Sequence, residues 1–392
     1  MNRSPAYTDS PRLARQGAFW LFLMLLVGCF AFVGFEQLTY LSSYPGAWLF
    51  SVLLLAATAI PVGLIIYRLD QFEPEPASLI AVALLWGGVV ALTFAGLANT
   101  EALSFLQHIM SASKVDSWGA AIVAPLDEEF YKGAGLIMIY LLARDEINGV
   151  MDGLVYGAMI GLGFQTVENV QYFMLAVGQS HGGQVGAVVS MYFVRVILSG
   201  LYSHMLFTGL LGFGFAWFVT QRSRPFGARL GVLAFSGGLA WAAHFVWNSP
   251  WLDSLMSQST GSNIGALIIK GVPFLVLLLL MLIFARRREG RAFAGLMAAE
   301  IGGEVVTQKE FQTLQSGRRR RRALKQVRRA NGPAARAVVR RLMREQMNLA
   351  LIHMRSEPAQ HPAIAAQRDY IMTLKRRLAE VTGGPQPGAR TA

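Results

Sequence analysis

The chain holds one cysteine, Cys29, among 392 residues. That excludes a disulfide framework and any cysteine-based zinc site. Charge is also scarce: Asp, Glu, Lys and Arg make up 15% of the residues, against about 25% in an average soluble domain. There is no P-loop and no GxGxxG after a strand, which removes the usual nucleotide-binding classes. What the chain has instead is apolar mass, with 54% hydrophobic residues and a mean hydropathy of +0.42. That rules out disorder by low hydrophobicity and argues against an ordinary soluble enzyme. The composition predicts an all-α polytopic membrane protein with a soluble appendage.

Eight apolar segments are expected to cross the membrane, at about 17–37, 46–67, 77–98, 117–142, 150–175, 188–219, 230–250 and 264–285. Most reach the roughly 20 residues that a 30 Å hydrocarbon core requires. The sixth is overlong and contains Arg195, so its first third is read as interfacial or as a tilted extension. Basic residues near the segment ends collect on one side, from Arg3, Arg12 and Arg15 to Arg286, Arg287 and Arg288. The other side receives Lys114, with Lys270 early in the eighth segment. By the positive-inside bias both termini are expected in the cytoplasm, in a multi-pass cell-membrane protein. Leu26-Val27-Gly28-Cys29 resembles a bacterial lipobox. Cleavage there would leave seven spans, but the apolar run continues past Cys29 and favours a retained helix.

Three regions follow: a cytoplasmic N-terminus at 1–16, a membrane domain at 17–285 and a basic cytoplasmic tail at 286–392. The tail holds 23 Lys and Arg against 8 Asp and Glu, a net +15, while residues 1–285 hold 12 against 15, a net −3. Arg318 to Arg322 form a run, and Ala323–Arg344 reads as a basic surface helix or a solvated stretch. Anionic lipid headgroups are the expected partner of such a tail, with nucleic acid the weaker candidate. Residues 383–392 are expected to be disordered.

Ionisable groups inside a bilayer are costly, so their placement is informative. They concentrate on four neighbouring segments: Asp127, Glu128, Glu129 and Lys132; Asp152 and Glu168; Arg195 and His204; and His244. With the termini inside, Glu128 lies about 16 Å, Glu168 about 10 Å and His244 about 9 Å from the outer ends of their segments. The groups can therefore meet in the outer half of the membrane. Glu128 and Glu129 diverge by about 100° on a helix, and Lys132 can pair with either. Such a carboxylate suits a general base, or a packing cluster with the lysine. Glu168 is a candidate metal ligand, and Asn169 a candidate to hold a substrate backbone or oxyanion. His204 and His244 are candidates for metal binding or acid/base work. Asp152 is read as a helix-terminal or structural residue, Arg195 as an interfacial or packing charge, and Tyr131 and Tyr156 as aromatic packing ahead of polar support.

Glu128-Glu129-Phe130-Tyr131-Lys132 forms an EExxK pattern. Asp152-Gly153-Leu154-Val155-Tyr156-Gly157 follows, then Gly161-Leu162-Gly163-Phe164 leading to Glu168-Asn169. His204 with Phe207-Thr208-Gly209 comes next, and His244 with Asn248 last. Together with the loop Arg68 to Pro76, this order resembles the PrsW-type intramembrane proteases over about residues 65–250. That family is related to the CAAX-prenyl protease and bacteriocin-processing superfamily. The related superfamily has FxxxH where this chain has Phe164 and Glu168, which leaves the identity of any metal ligand open.

The resemblance implies a bacterial membrane-embedded endopeptidase. It would act near the extracytoplasmic side on a membrane-protein substrate, such as a single-span anti-sigma factor in site-1 cleavage. Glu128 or Glu129 would activate water, with Lys132 beside them. His204, His244 and Glu168 would bind a divalent metal such as Zn²⁺. Glu168 and Asn169 would complete or position the site. A metal-free glutamate mechanism, with His204, His244 and Asn248 stabilising the tetrahedral intermediate by hydrogen bonds, is an alternative, since relatives are described both ways. So are a transporter, although no inverted repeat is visible, and a non-enzymatic scaffold acting through the tail. Other protease classes lack their motifs: Ala234-Phe235-Ser236-Gly237 misses the first glycine of GxSG, and there is no GxGD or HExxH.

Overall fold

A computed structural model of the protein describes residues 16–198, 203–251, 260–355 and 361–383. The expectations for residues 1–15 and 384–392 lie outside them. The described residues are helical throughout, with no strand beyond an isolated bridge between Ile301 and Val306. The helices are α1 (Gly17–Ser43), α2 (Pro45–Tyr67), α3 (Ala77–Ile109), α4 (Ala112–Leu142), α5 (Val150–Gln179), α6 (Gln184–Leu198), α7 (His204–Thr220), α8 (Phe226–Asn248), α9 (Thr260–Met297), α10 (Gln308–Leu314), α11 (Gly317–Arg355) and α12 (Pro362–Thr382). They divide into two units, residues 16–70 with 74–285, and residues 71–73 with 286–383.

Six of these helices are long and apolar enough to cross a membrane: α1, α2, α3, α5, α8 and the Ile268–Met297 part of α9. The chain is a multi-pass membrane protein. Two of the eight expected segments come out differently. The fourth is α4, whose interior carries Asp127, Glu128, Glu129 and Lys132. That helix is long enough, but its charges must face protein rather than lipid. The sixth is not one overlong span but two short helices, α6 and α7. Each is tied to α5 by its own polar contacts: Arg195 of α6 to Glu168 and Asn169, and Ser203 and His204 at the start of α7 to Gln165 and Glu168.

Helix α5 is the axis of the membrane unit, with 89% of its apolar stretch buried against 17% for α1, α2 and the end of α9. The outer helices therefore show lipid a face of large side chains such as Phe35, Ile60 and Leu280. Glycines let α5 approach both neighbours. A Cβ at Gly153, Gly157 or Gly161 would strike the carbonyls of Gly212, Thr208 or His204 on α7, and one at Gly163 would strike that of Leu84 on α3. The spacing of four between the first three makes one small-residue ridge. Helix α3 carries a π-helical turn at Trp86–Ala91. From it the Trp86 indole donates to the Tyr131 carbonyl at 2.9 Å, fixing α4 one residue before Lys132.

The second unit has its own core of Phe293, Phe311, Leu342, Leu349, Ile364 and Ile371. Thr307 and Glu310 form a capping box at the start of α10. Helix α11 is kinked at Gly332, where φ is 82° and Pro333 follows. Beyond the kink Leu342, Leu349 and Ile352 are buried. Before the kink the basic residues of Ala323–Arg344 lie on an exposed helical face, and beyond it the helix packs into a core.

Candidate active site

Pro125, Glu128, Glu129 and Lys132 are buried along one stretch of α4. Lys132 has no exposed side-chain surface. Its ammonium donates to Glu129 Oε1 at 2.6 Å, to Glu128 Oε2 at 3.3 Å and to His204 Nδ1 at 2.9 Å. A buried lysine is tolerable only with such partners. Its ammonium also lies 4.4 Å from the centre of the Phe164 ring.

The two glutamates have different surroundings. Glu129 is fully engaged, accepting from Lys132, from His244 Nδ1 at 3.1 Å and from Thr208 Oγ1 at 3.1 Å. Glu128 is held more loosely, with His204 Nδ1 at 3.5 Å and His244 Nε2 at 3.8 Å from its Oε2. Each imidazole is backed by a different carboxylate: His244 Nδ1–H donates to Glu129, and His204 Nε2–H donates to Glu168 at 3.1 Å. The partners assign the tautomers, because carboxylates accept and the lysine donates. The ring nitrogen of each histidine that faces Glu128 is then the one with a lone pair. Phe207 stacks on His244 at 4.7 Å and Phe164 packs on His204 at 5.0 Å, which fixes the ring planes.

Helix α6 adds Arg195. Its guanidinium donates to Glu168 Oε2 at 2.8 Å and to Asn169 Oδ1 at 2.9 Å, and lies 3.6 Å from the centre of the Tyr172 ring. Arg195 sits in the π-helical turn Phe193–Leu198, a distortion frequent at functional sites. Arg195, read as an interfacial or packing charge, thus packs against the carboxylate that backs His204. Three carboxylates (Glu128, Glu129, Glu168) thus share one lysine and one arginine, Lys132 and Arg195.

The donor set fits a divalent metal. Glu128, His204 and His244 each offer a ligand atom, all within 4.8 Å of one another. Zinc bonds of about 2.1 Å in a tetrahedron require ligand separations near 3.4 Å, close to the 3.5 and 3.8 Å observed. A carboxylate behind each ligating histidine is the usual outer shell of such a site. Of the expected set His204, His244 and Glu168, the two histidines group with Glu128, while Glu168 lies behind His204 on its Nε2. The Lys132 ammonium lies on the same His204 lone pair that a metal would use.

Asn248 is not brought into the cluster: its amide donates to the Ala120 carbonyl at 3.4 Å. Asp152 caps α5, accepting from the amides of Asn148 and Gly149 at 2.7 and 2.8 Å. The Tyr156 hydroxyl donates to buried Glu75, so that ring does more than pack. Sequence reasoning missed Gln165, Ser203 and Thr208. Their spacing carried a signal, since Gln165 precedes Asn169 by four and Thr208 follows His204 by four.

A family model described as PrsW family intramembrane metalloprotease matches residues 75–285. Protease PrsW of Geobacillus kaustophilus (strain HTA426) is 32% identical over 163 residues, which cover 40% of this chain and 63% of that protein. Protease PrsW of Bacillus subtilis (strain 168) is 28% identical over 163 residues, covering 40% of this chain and 65% of the relative. The chain thus spans just under two thirds of the length of these curated relatives. No solved structure matches it.

Proposed function

The chain belongs to the PrsW family of intramembrane metalloproteases, and from that membership and the buried cluster we propose that it is an endopeptidase acting within the membrane. The observation that carries the reading is the convergence of Glu128, His204 and His244, each imidazole backed by its own carboxylate. Glu128, His204 and His244 would hold a divalent ion. When bound, the ion would lower the pKa of a water toward about 7 and polarise the scissile carbonyl. Glu129 and Glu168 keep the imidazoles turned toward Glu128. Lys132 and Thr208 hold Glu129 in place, and Arg195 does the same for Glu168.

The contact between Lys132 and His204 Nδ1 favours a second, metal-free reading. Glu128 would then take the proton of the attacking water, and Lys132 would donate toward the charge developing on the carbonyl oxygen. In both readings the substrate is a membrane protein, of the single-span anti-sigma-factor kind. It is cut toward the extracytoplasmic side, with both termini of the enzyme in the cytoplasm, as the distribution of arginines supports. For the second unit the proposed partner is anionic lipid. The exposed Arg318, Arg322, Lys325 and Arg329, spaced to form one helical stripe, support it.

The test is metal analysis and a cleavage assay on detergent-purified wild type, Glu128→Gln, Glu129→Gln, His204→Ala and His244→Ala. Stoichiometric zinc that is lost in the histidine variants, with activity lost in all four, is the expected result. Chelator-resistant activity that still needs Glu128 selects the metal-free reading. Equal cutting by all five proteins would identify a contaminant and remove the protease reading.

A further inference from the structure

Two cavities meet on one face of α5. A polar one of about 180 Å³ is lined by Arg195, Ser203, His204 and Trp247. An apolar one of about 220 Å³ is walled by Leu55, Ala59 and Val62 of α2 and by Val196 and Ile197 of α6. Gln165 and Asn169 line both, and so form the wall between them.

These two amides are buried, with 7% and 2% of their surface exposed. Their oxygens are occupied: the Ser203 hydroxyl donates to Gln165 Oε1 at 2.5 Å, and Arg195 donates to Asn169 Oδ1. Because arginine can only donate, the orientation of the Asn169 amide is fixed. Neither NH₂ group donates a hydrogen bond among the described residues, and both residues line the cavities, so these donors are open to an acceptor. The two residues stand one helical turn apart, about 6 Å along the axis. An extended peptide repeats its carbonyls on one side at a similar interval, and sends alternate side chains to opposite faces.

We propose that Gln165 and Asn169 bind the main-chain carbonyls of the substrate, and that the apolar cavity receives one apolar side chain beside the scissile bond. The inference rests on the protease reading and names its substrate class: membrane segments with a Leu-, Met- or Phe-sized residue at that position. An apolar cavity of about 150 Å³ already holds a benzene ring, so this one has room for a phenylalanine. A charged side chain would find no partner on the Leu55, Ala59, Val62, Val196 and Ile197 walls. The two hydroxyls of the lining are already bonded, that of Thr58 to the Leu54 carbonyl and the Tyr192 hydroxyl and that of Thr166 to the Leu162 carbonyl.

The experiment uses the full chain in detergent and two probes. One is a library of single-span model proteins randomised in the outer third of the span, with cleavage sites read by mass spectrometry. The other is the set of capped tripeptides acetyl-Ala-Xaa-Ala-amide, with Xaa Gly, Ala, Leu, Phe or Lys, whose binding is measured directly. Wild type is expected to favour Leu or Phe over Gly by about 10-fold or more at one position, in cutting and in binding. Ala59→Phe fills the cavity and should abolish that preference. Leu55→Ala enlarges it and should admit Trp. Ile60→Phe, on the lipid-facing neighbour that is 62% exposed, should change neither. Gln165→Ala should weaken binding of all the tripeptides alike. Tripeptide binding without side-chain preference, or a preference untouched by both cavity variants, overturns the proposal whatever is cut. Selective tripeptide binding by a protein that cuts nothing in the library would keep the pocket and sink the protease reading instead.

Discussion

Glu128 and Glu129 are adjacent in sequence and unequal in structure, and that inequality predicts different consequences for the same chemical change. Glu129 is saturated by Lys132, His244 and Thr208. Replacing it with Gln removes the acceptor that holds His244, and loss of such outer-shell support typically costs 10- to 100-fold in metal affinity. Glu129→Gln should therefore lower zinc affinity by about that factor in a competition titration, while saturating zinc restores part of the activity. Glu128→Gln is expected to lose activity by about 10³-fold or more without rescue, because a direct ligand or base is gone. Equal rescue of both variants by zinc would contradict the division of roles. The paired glutamates, the lysine and both histidines were legible in the sequence, because an ionisable group in an apolar run stands out. The division of roles was not, since it depends on which carboxylate Thr208 and the imidazoles face. Arg195 stood out equally well, but its role depended on a π-helical turn that no spacing rule announces. The estimated depths depended on segment ends. His244 lies four residues from the end of α8 and Glu168 eleven from the end of α5, so the apparent agreement owed part of its neatness to the assumed boundaries.

The elements meet closely because α5 offers glycine where its neighbours need room, and this gives a test that leaves every polar side chain intact. Gly161→Ala places a Cβ against the carbonyl of His204, the residue that opens α7. Overpacking of this kind typically costs about 1–3 kcal/mol, and here it would push directly on His204. Thermal stability and activity should both fall. Gly96→Ala, on α3 with no neighbour within 4 Å of the added carbon, should keep activity and gain up to about 1 kcal/mol of helix stability. The break between α6 and α7 was hidden in the sequence because both pieces are apolar, and hydropathy cannot distinguish one long span from two short helices. The kink in α11 was written as Gly332-Pro333. Before that kink the basic stripe of Arg318, Arg322, Lys325 and Arg329 is exposed, while Leu324 and Val327 on the other side are half-buried. At roughly 1 kcal/mol per basic residue, these four charges should slow tryptic cleavage of the stripe in nanodiscs of phosphatidylglycerol relative to phosphatidylcholine. Because such attraction is screened within about a Debye length, the difference should shrink in high salt. Equal cleavage in the two lipids at low salt would remove lipid as the partner, and protection by added RNA would name nucleic acid in its place.

The whole molecule joins two units that owe their folds to different solvents, and they should respond differently to acid. The membrane unit puts its apolar mass against lipid and buries its charges. The second unit folds around a water-type core, with Glu300 buried at its edge. The Glu300 carboxylate accepts from Arg368 at 2.5 Å and from His353 at 2.9 Å. Burial alone would raise its pKa, but the hydrogen bonds from Arg368 and His353 outweigh burial and hold it below the usual carboxylate range. A carboxyl group with a depressed pKa in the folded state contributes its full stability above its unfolded pKa, about 4.3. That contribution is lost as pH falls through the lower folded value. Near neutrality this pair should therefore give no pH dependence, and the loss should begin only below about pH 4.3. Because Arg368 is 41% exposed, solvent screening lowers the worth of the pair, and Glu300→Gln should cost the unit about 1–2 kcal/mol at pH 7. The readout is hydrogen-exchange protection of α12 in the full-length protein, normalised for intrinsic exchange at each pH. Wild-type protection should decline from pH 5 to pH 3, while Glu300→Gln starts lower and declines less. A parallel decline in both proteins would mean that Glu300 does not carry the acid sensitivity of the second unit.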